Sequence, residues 1–529
     1  MVRHAATSTP RTREAGRAGE GGDSLRITHP LAIVLLAWIG AIKATGSAFS
    51  AVALVDVTTS LGLSPAMRGA SAGAIALAIA ATAVAAGVAA DRLGRRRVLM
   101  GSFAVAAAAD LAVFLFPSGA VYLLGNVVAG VGYGAMATGS YAYVKALAPG
   151  RSLGWALGLF GIFTTLVCTV TVLVGGALAD DDWRWLFLML PAMCAVAALL
   201  TPRMLPVMPK TGGGPVDVAG LAVLGAGMLL LIGGLTQATS APGEPVTWAV
   251  VVAGAALMTA WVVIERRSRA PSFPVRVFRS RPYLAAVLAG FAGNVTAAMM
   301  VLGLSDLLQY VSRDSVLAAT MGMQPSYIVG GVGGVVAGGL LAGRWLGTGV
   351  SPRLVMAVGA LITGTGYALL APLQHGSPYW AIFPGTITAG VGLAALMTAQ
   401  GQVIVRAAPP DAYGAVTSSK TSIGQLGSAV GMVLTVVFFD RMTAGGVTRG
   451  LEHDGVTAAD AHHTLTALES YLTTGHRPGL HDLSDALGHA MASFTQAFRA
   501  GMLISAGAMA VVAVCVWLLM ARGDGTETE

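Results

Sequence analysis

Long apolar runs alternate with short polar breaks from residue 31 to residue 520. The runs fall at 31–55, 66–90, 97–116, 119–146, 152–178, 185–205, 216–237, 246–264, 282–305, 318–343, 353–372, 379–405, 413–439 and 491–520. About 20 helical residues cover the roughly 30 Å of hydrocarbon in a bilayer, so each run is long enough to cross once. The pattern predicts an all-α polytopic membrane protein with 14 transmembrane helices. Contrast is weakest across 300–345, where Gly and short polar residues interrupt the apolar run. Residues 1–30 are polar and rich in Gly, Ala, Thr and Arg, with no apolar core of a cleavable signal peptide. They read as a disordered cytoplasmic tail, with 523–529 as a second.

The polar breaks orient the chain. Gly87 to Leu99, GVAADRLGRRRVL, puts four arginines and one acid between the second and third runs. Gly87 permits close helix approach, Asp91 accepts hydrogen bonds from an arginine or a helix N-terminus, and Gly94 permits the turn before Arg95, Arg96 and Arg97. With the N-terminus cytoplasmic, the inner side carries 23 of the 32 Lys and Arg residues, the outer side seven, and the runs two, Lys43 and Lys420. That bias predicts a multi-pass protein of the cell membrane with both termini in the cytoplasm.

Composition narrows the picture further. A chain that is 55% hydrophobic and 11% charged, with mean hydropathy +0.73, is membrane-embedded. Its net charge of +7 follows from the inner loops, so no nucleic-acid partner is expected. Cys168, Cys194 and Cys515 all lie in apolar runs and predict neither disulfides nor a thiolate metal site. GGLLAGRWLG at Gly338–Gly347 echoes GVAADRLGR, which points to two related halves. The expected division is a six-helix half over 31–205, an inserted helix pair with cytoplasmic linkers over 206–281, and a second six-helix half over 282–522. The second half includes an outer loop at 440–489.

The Gly87–Arg97 break resembles the loop signature of the major facilitator superfamily of secondary transporters: glycine, three residues, Asp, Arg, one residue, Gly, Arg, Arg/Lys. DWRWLFLMLP (Asp182–Pro191), PVDVAG, ERRSRAP, VFRSRP and GQLGSAVG (Gly424–Gly431) are similar to the fourteen-span drug:proton antiporter family within it. The resemblance spans 31–522. It implies two rocking six-helix halves and export of drugs or antibiotics driven by inward proton flow, with no bound cofactor and the bilayer and a small organic substrate as partners. A monomer is expected. It also implies that Gly87, Asp91, Arg92, Gly94, Arg95 and Arg96 form a conformational latch against the start of span 13, near Tyr413 and Gly414. The central cavity is then lined by spans 1, 2, 4, 5, 9, 10, 12 and 13. The chain departs from the family where coupling chemistry sits. Gly46 stands at the usual span 1 acid, Asn126 at the usual span 4 arginine, and Thr171 and Val172 at the span 5 Gly-Pro pair.

Two lysines stand out instead. Lys43 lies half-way through span 1, where a charge costs about 3 kcal/mol and marks a pathway or a paired site. It either pairs with Asp110 of span 3 or faces the central cavity. Lys420 in span 13 either faces that cavity or snorkels to the membrane surface. Asn294, Gln400 and Gln425 are candidate hydrogen-bonding groups for substrate or for neighbouring helices. Asn126, Tyr133 and Tyr141 in span 4, with Thr164 and Thr165 in span 5, join them by the family resemblance. Two lysines and little acid favour an anionic, zwitterionic or neutral amphipathic substrate.

The outer loop contains six of the nine histidines, His453, His462, His463, His476, His481 and His489, at spacings that match no metal-ligand motif. No phosphate-binding loop, His-Glu-x-x-His helix or Gly-x-Ser-x-Gly elbow occurs, so an enzyme is not expected. Two function classes remain. One is a proton-driven exporter; the other is a facilitator or importer of an anionic or amphipathic metabolite without the usual antiport machinery.

Overall fold

The computed structural model describes residues 30–521 apart from 64, 149–151, 180–181, 209, 211–217, 241–242, 268–272, 308–332, 375–376, 410–411, 455 and 458–482. Residues 1–29 of the first expected tail, the whole of the second, residues 318–332 of the expected tenth span, and His462, His463, His476 and His481 lie outside the described residues.

The described residues form helices and no strands: α1 (Pro30–Leu61), α2 (Pro65–Leu93), α3 (Arg95–Leu115), α4 (Gly119–Leu147), α5 (Ser152–Ala179), α6 (Arg184–Met204), α7 (Val218–Ser240), α8 (Pro245–Arg267), α9 (Arg281–Asp306), α10 (Gly334–Gly347), α11 (Pro352–Leu370), α12 (Phe383–Ala407), α13 (Tyr413–His453) and α14 (Leu483–Ala521). Twelve are long and apolar enough to cross a bilayer. The apolar stretch of α7 (Ala219–Leu235) and the described part of α10 are shorter. Leu111, Val128, Val170 and Trp517 point outward, as they can where hydrocarbon replaces water.

The ends of the helices follow local chemistry. Gly94 takes φ 103°, a backbone conformation that side chains disfavour, and so lets α3 start one residue after α2 ends. Asp182 sits ahead of α6. It accepts from the Arg184 guanidinium (2.7 Å) and the Arg184 amide (2.9 Å), and these hold its carboxyl below the ordinary carboxylate range.

The same neighbour pattern occurs twice. In the first half α1 packs on α4, α5 and α6, α2 on α4, and α3 on α4 and α6. In the second, α9 packs on α12, α13 and α14, α10 on α12, and α11 on α12 and α14. The halves meet through α2 against α13 and α5 against α10, two contacts that exchange when the halves are interchanged. α7 pairs with α8 and also touches α2 and α13, so this pair lies along the seam.

One expectation fails. The hydropathy pattern predicts an outer loop from Asp440, but α13 continues to His453 and α14 begins at Leu483. Hydropathy ends these spans too early because helix pairing, not lipid, holds the extensions. Gly446 lies against Ser493 and Gly450 against His489, each pair four residues apart on its own helix. Val447 and Leu451 are buried beside Val456 and Ala490, and His489 Nε2 lies 2.7 Å from Asp454 Oδ2.

Candidate functional site

A cavity of about 640 Å³ lies between the halves. It is lined by α1, α4 and α5 of the first half and by α9, α10, α11, α12 and α13 of the second. The resemblance implies span 2 in the lining, yet among the described residues no α2 side chain lines it, and α11 contributes Tyr367 instead. α2 is sealed against α13: Ser422 donates to the Ala80 carbonyl at 3.0 Å, and a Cβ at Gly87 would collide with Gly414.

Both lysines line the cavity. Lys43 enters from α1 and forms no ion pair with Asp110; among the described residues its Nζ has no hydrogen-bond or ion partner. Lys420 enters from α13. Its Nζ donates to Tyr141 OH (3.3 Å) and the Met397 carbonyl (3.4 Å) and lies 4.5 Å from the Tyr141 ring centroid. Such contacts satisfy hydrogens but supply no counter-charge.

Asn294, Gln400 and Gln425 also line the cavity. Asn294 Nδ2 donates back to the Gly290 carbonyl at 2.7 Å. Gln400 is 2% exposed, seated on Gly290, and its Oε1 has no partner among the described residues. An unmatched buried acceptor is costly unless a ligand or water supplies a donor.

Asp110, Asn126 and Tyr133 are buried outside the lining. Tyr133 on α4 donates to Asp110 Oδ2 on α3 at 2.5 Å. The Tyr133 ring lies against Gly46, where a Cβ would sit within 2.9 Å of its ring and hydroxyl atoms. The α1 position that resembles the family's acid is therefore filled from α4, and the acid behind it comes from α3. Asn126 is fully buried beside Tyr122, one turn from the cluster of Tyr122, Trp183 and Phe187 rings.

One face of the seam is closed by the Gly87–Arg97 segment. The Gly414 amide, at the N-terminus of α13, donates to Asp91 Oδ2 at 2.6 Å. Asp91 also faces Arg95 at 3.5 Å, and both side chains are buried. Arg95 lies 5.1 Å from the Tyr413 ring centroid and points Nη1 at the Ala142 carbonyl, 3.5 Å away. A carboxylate on a helix N-terminus is favoured by the dipole and the free amides there. Arg92 and Arg96 are half-buried at the edge of this cluster. A second contact, Gly158 of α5 against Gly339 of α10, closes the same end, since a Cβ at Gly158 would lie 2.9 Å from the Gly339 carbonyl oxygen.

Several lining residues carry no sequence signal. Phe160, Met300, Leu393 and Met397 face the cavity but are apolar, and apolar residues face lipid equally well. The edge-on contact of Tyr141 and Phe160, 6.3 Å between centroids, forms one corner of the wall.

The family model of the Major Facilitator Superfamily matches residues 36–432. Among curated relatives, an uncharacterized MFS-type transporter of Mycobacterium tuberculosis is 27% identical over 68% of this chain and 62% of its own length. The chain thus spans about three fifths of that relative. The puromycin resistance protein pur8 of Streptomyces alboniger is 28% identical over 72% of this chain and 76% of its own. The multidrug efflux pump LfrA of Mycolicibacterium smegmatis is 25% identical over 64% and 67%. The proton:xylose symporter XylE has the same fold, with TM-score 0.57 at 12% identity over 93% of this chain and 96% of that one.

Proposed function

The chain belongs to the Major Facilitator Superfamily, and from that footing we infer that it exports small drug-like or antibiotic-like organic molecules across the cell membrane by alternating access. The observation that carries this reading is the cavity between the two halves, closed at one end by the Asp91–Gly414 and Gly158–Gly339 contacts. Likeness to a drug resistance protein and to an efflux pump supports the outward direction. The cation bias supports a closed end at the cytoplasm, with both termini on that side. The protein works as a monomer on this reading, and the proton gradient is its energy source.

Asp91 acts as a latch that biases the equilibrium between states without touching substrate. Asp91→Asn keeps an acceptor for the Gly414 amide but removes the charge that the α13 N-terminus and Arg95 face. The difference between a charged and a neutral hydrogen bond is about 1.5 kcal/mol, so transport should fall about tenfold with expression nearly unchanged. Parental transport in that variant would remove the latch.

A second reading, a facilitator without proton coupling, is favoured by one observation: Tyr133 fills the space at Gly46, and no carboxylate lines the cavity among the described residues. Purified protein in proteoliposomes, with an imposed pH gradient and internal pH followed during flux, separates the two. Substrate-dependent proton movement supports antiport. Flux without it supports the facilitator, and no flux of any organic solute would sink both.

A further inference from the structure

The cavity is unbalanced in charge. Lys43 and Lys420 enter a wall in which the described residues supply no carboxylate and no imidazole. An ammonium taken out of water is ordinarily matched by an acid. Here Lys420 meets only neutral groups, the Tyr141 hydroxyl and ring and the Met397 carbonyl. Lys43 has no hydrogen-bond or ion partner among the described residues, and the Cys168 thiol is the titratable group acting on it. Gln400 adds a buried oxygen without a donor. Most of the remaining wall is apolar, and the volume suits a drug-sized ligand. Two uncompensated cations in such a wall attract an amphiphilic anion and repel a cation.

We propose that the substrates are organic anions, an aromatic or aliphatic body bearing one carboxylate, sulfonate or phosphate-ester group that Lys43 and Lys420 hold together. The proposal rests on the export reading and names the substrate class of the same cavity. The geometry gives the charges a second use. Lys43 belongs to α1 in the first half and Lys420 to α13 in the second, so an anion that touches both links the halves. Binding to both favours the state in which the halves close over the ligand.

The test uses the full-length protein in proteoliposomes loaded with matched solutes: aryl carboxylates and sulfonates, their neutral methyl esters, and the corresponding amines. Counted as efflux above that of protein-free liposomes, the carboxylates and sulfonates are expected to leave about tenfold faster than the esters, with the amines slowest. Lys43→Gln and Lys420→Gln should each lower anion flux about tenfold, while Lys43→Arg and Lys420→Arg retain most of it, which separates lost charge from lost folding. Protein-dependent efflux of esters or amines as fast as that of the anions would overturn the substrate class and leave the export reading standing. So would glutamine variants that eluted like the parent and kept its anion flux. Flux of no solute in any charge class would overturn the export reading, and this proposal with it.

Discussion

In proteoliposomes under an inward proton gradient, Asp110→Asn should carry substrate down its own gradient and lose the substrate-dependent proton signal to the level of the leak. Lys43 and Lys420 line the cavity, so a proton added to either would tighten its hold on an anion and leave with it, opposite to exchange. On the antiport reading, an entering proton acts away from the substrate, through packing. Asp110 is 1% exposed and outside the lining, with Tyr133 as its hydrogen-bond donor, and the Tyr133 ring is seated on Gly46, three residues from Lys43. A change of charge on Asp110 alters that hydrogen bond, and with it the seat of α1. Tyr133→Phe should weaken the coupling while keeping the acid, and Gly46→Ala should disturb it from the other side by displacing the ring. An intact proton signal in Asp110→Asn would exclude Asp110 as the carrier. If the parent itself moves no protons, the membrane potential is sufficient for an anion, since an inside-negative 100 mV favours exit of one negative charge by about 2.3 kcal/mol.

The fold was legible because lipid imposes a single requirement on every span. The third run was expected at 97–116 and the helix is Arg95–Leu115; the fifth was expected at 152–178 and the helix is Ser152–Ala179. Legibility ends where that requirement ends. The extensions of α13 and α14 are held by Gly446 and Gly450 against Ser493 and His489, a pairing that hydropathy does not record. Positive charge pointed to the cavity, since both lysines line it, whereas the acid Asp110 is buried behind it. Polarity alone was not enough: Asn294, Gln400 and Gln425 face the cavity, whereas Asn126 and Tyr133, similar in kind, are buried behind it. The resemblance implied the meeting of Gly87 and Asp91 with Gly414, and the structure has it. What no sequence pattern shows is that the seam runs on along α2 to Ala80, where Ser422 of α13 donates to its carbonyl.

The approach of Gly87 to Gly414 yields the second large effect. Gly87→Val should shift the protein toward the state open on the Asp91 face and slow transport accordingly. A Cβ at Gly87 meets the Gly414 carbonyl, which is backbone and cannot rotate away, and one at Gly414 meets Asp91 and the Gly87 carbonyl. Overpacking of this kind costs about 2 kcal/mol where the halves stay together and nothing where they have parted, a shift of roughly thirtyfold in the equilibrium. The readout is a single cysteine placed at Thr398 in the cavity wall, with Cys168, Cys194 and Cys515 replaced, and a membrane-impermeant thiol reagent applied to one face at a time. Labelling from the Asp91 face should rise in Gly87→Val and, by a smaller step, in Gly87→Ala. Gly101 on α3 has nothing within 4 Å of its Cβ position, so Gly101→Val is the control that adds the same bulk without touching the seam. Equal labelling in Gly87→Val and Gly101→Val would mean that the α2–α13 contact does not govern access to the cavity. The closed end would then be held by α5 and α10, where Gly158→Val is the next wedge to test.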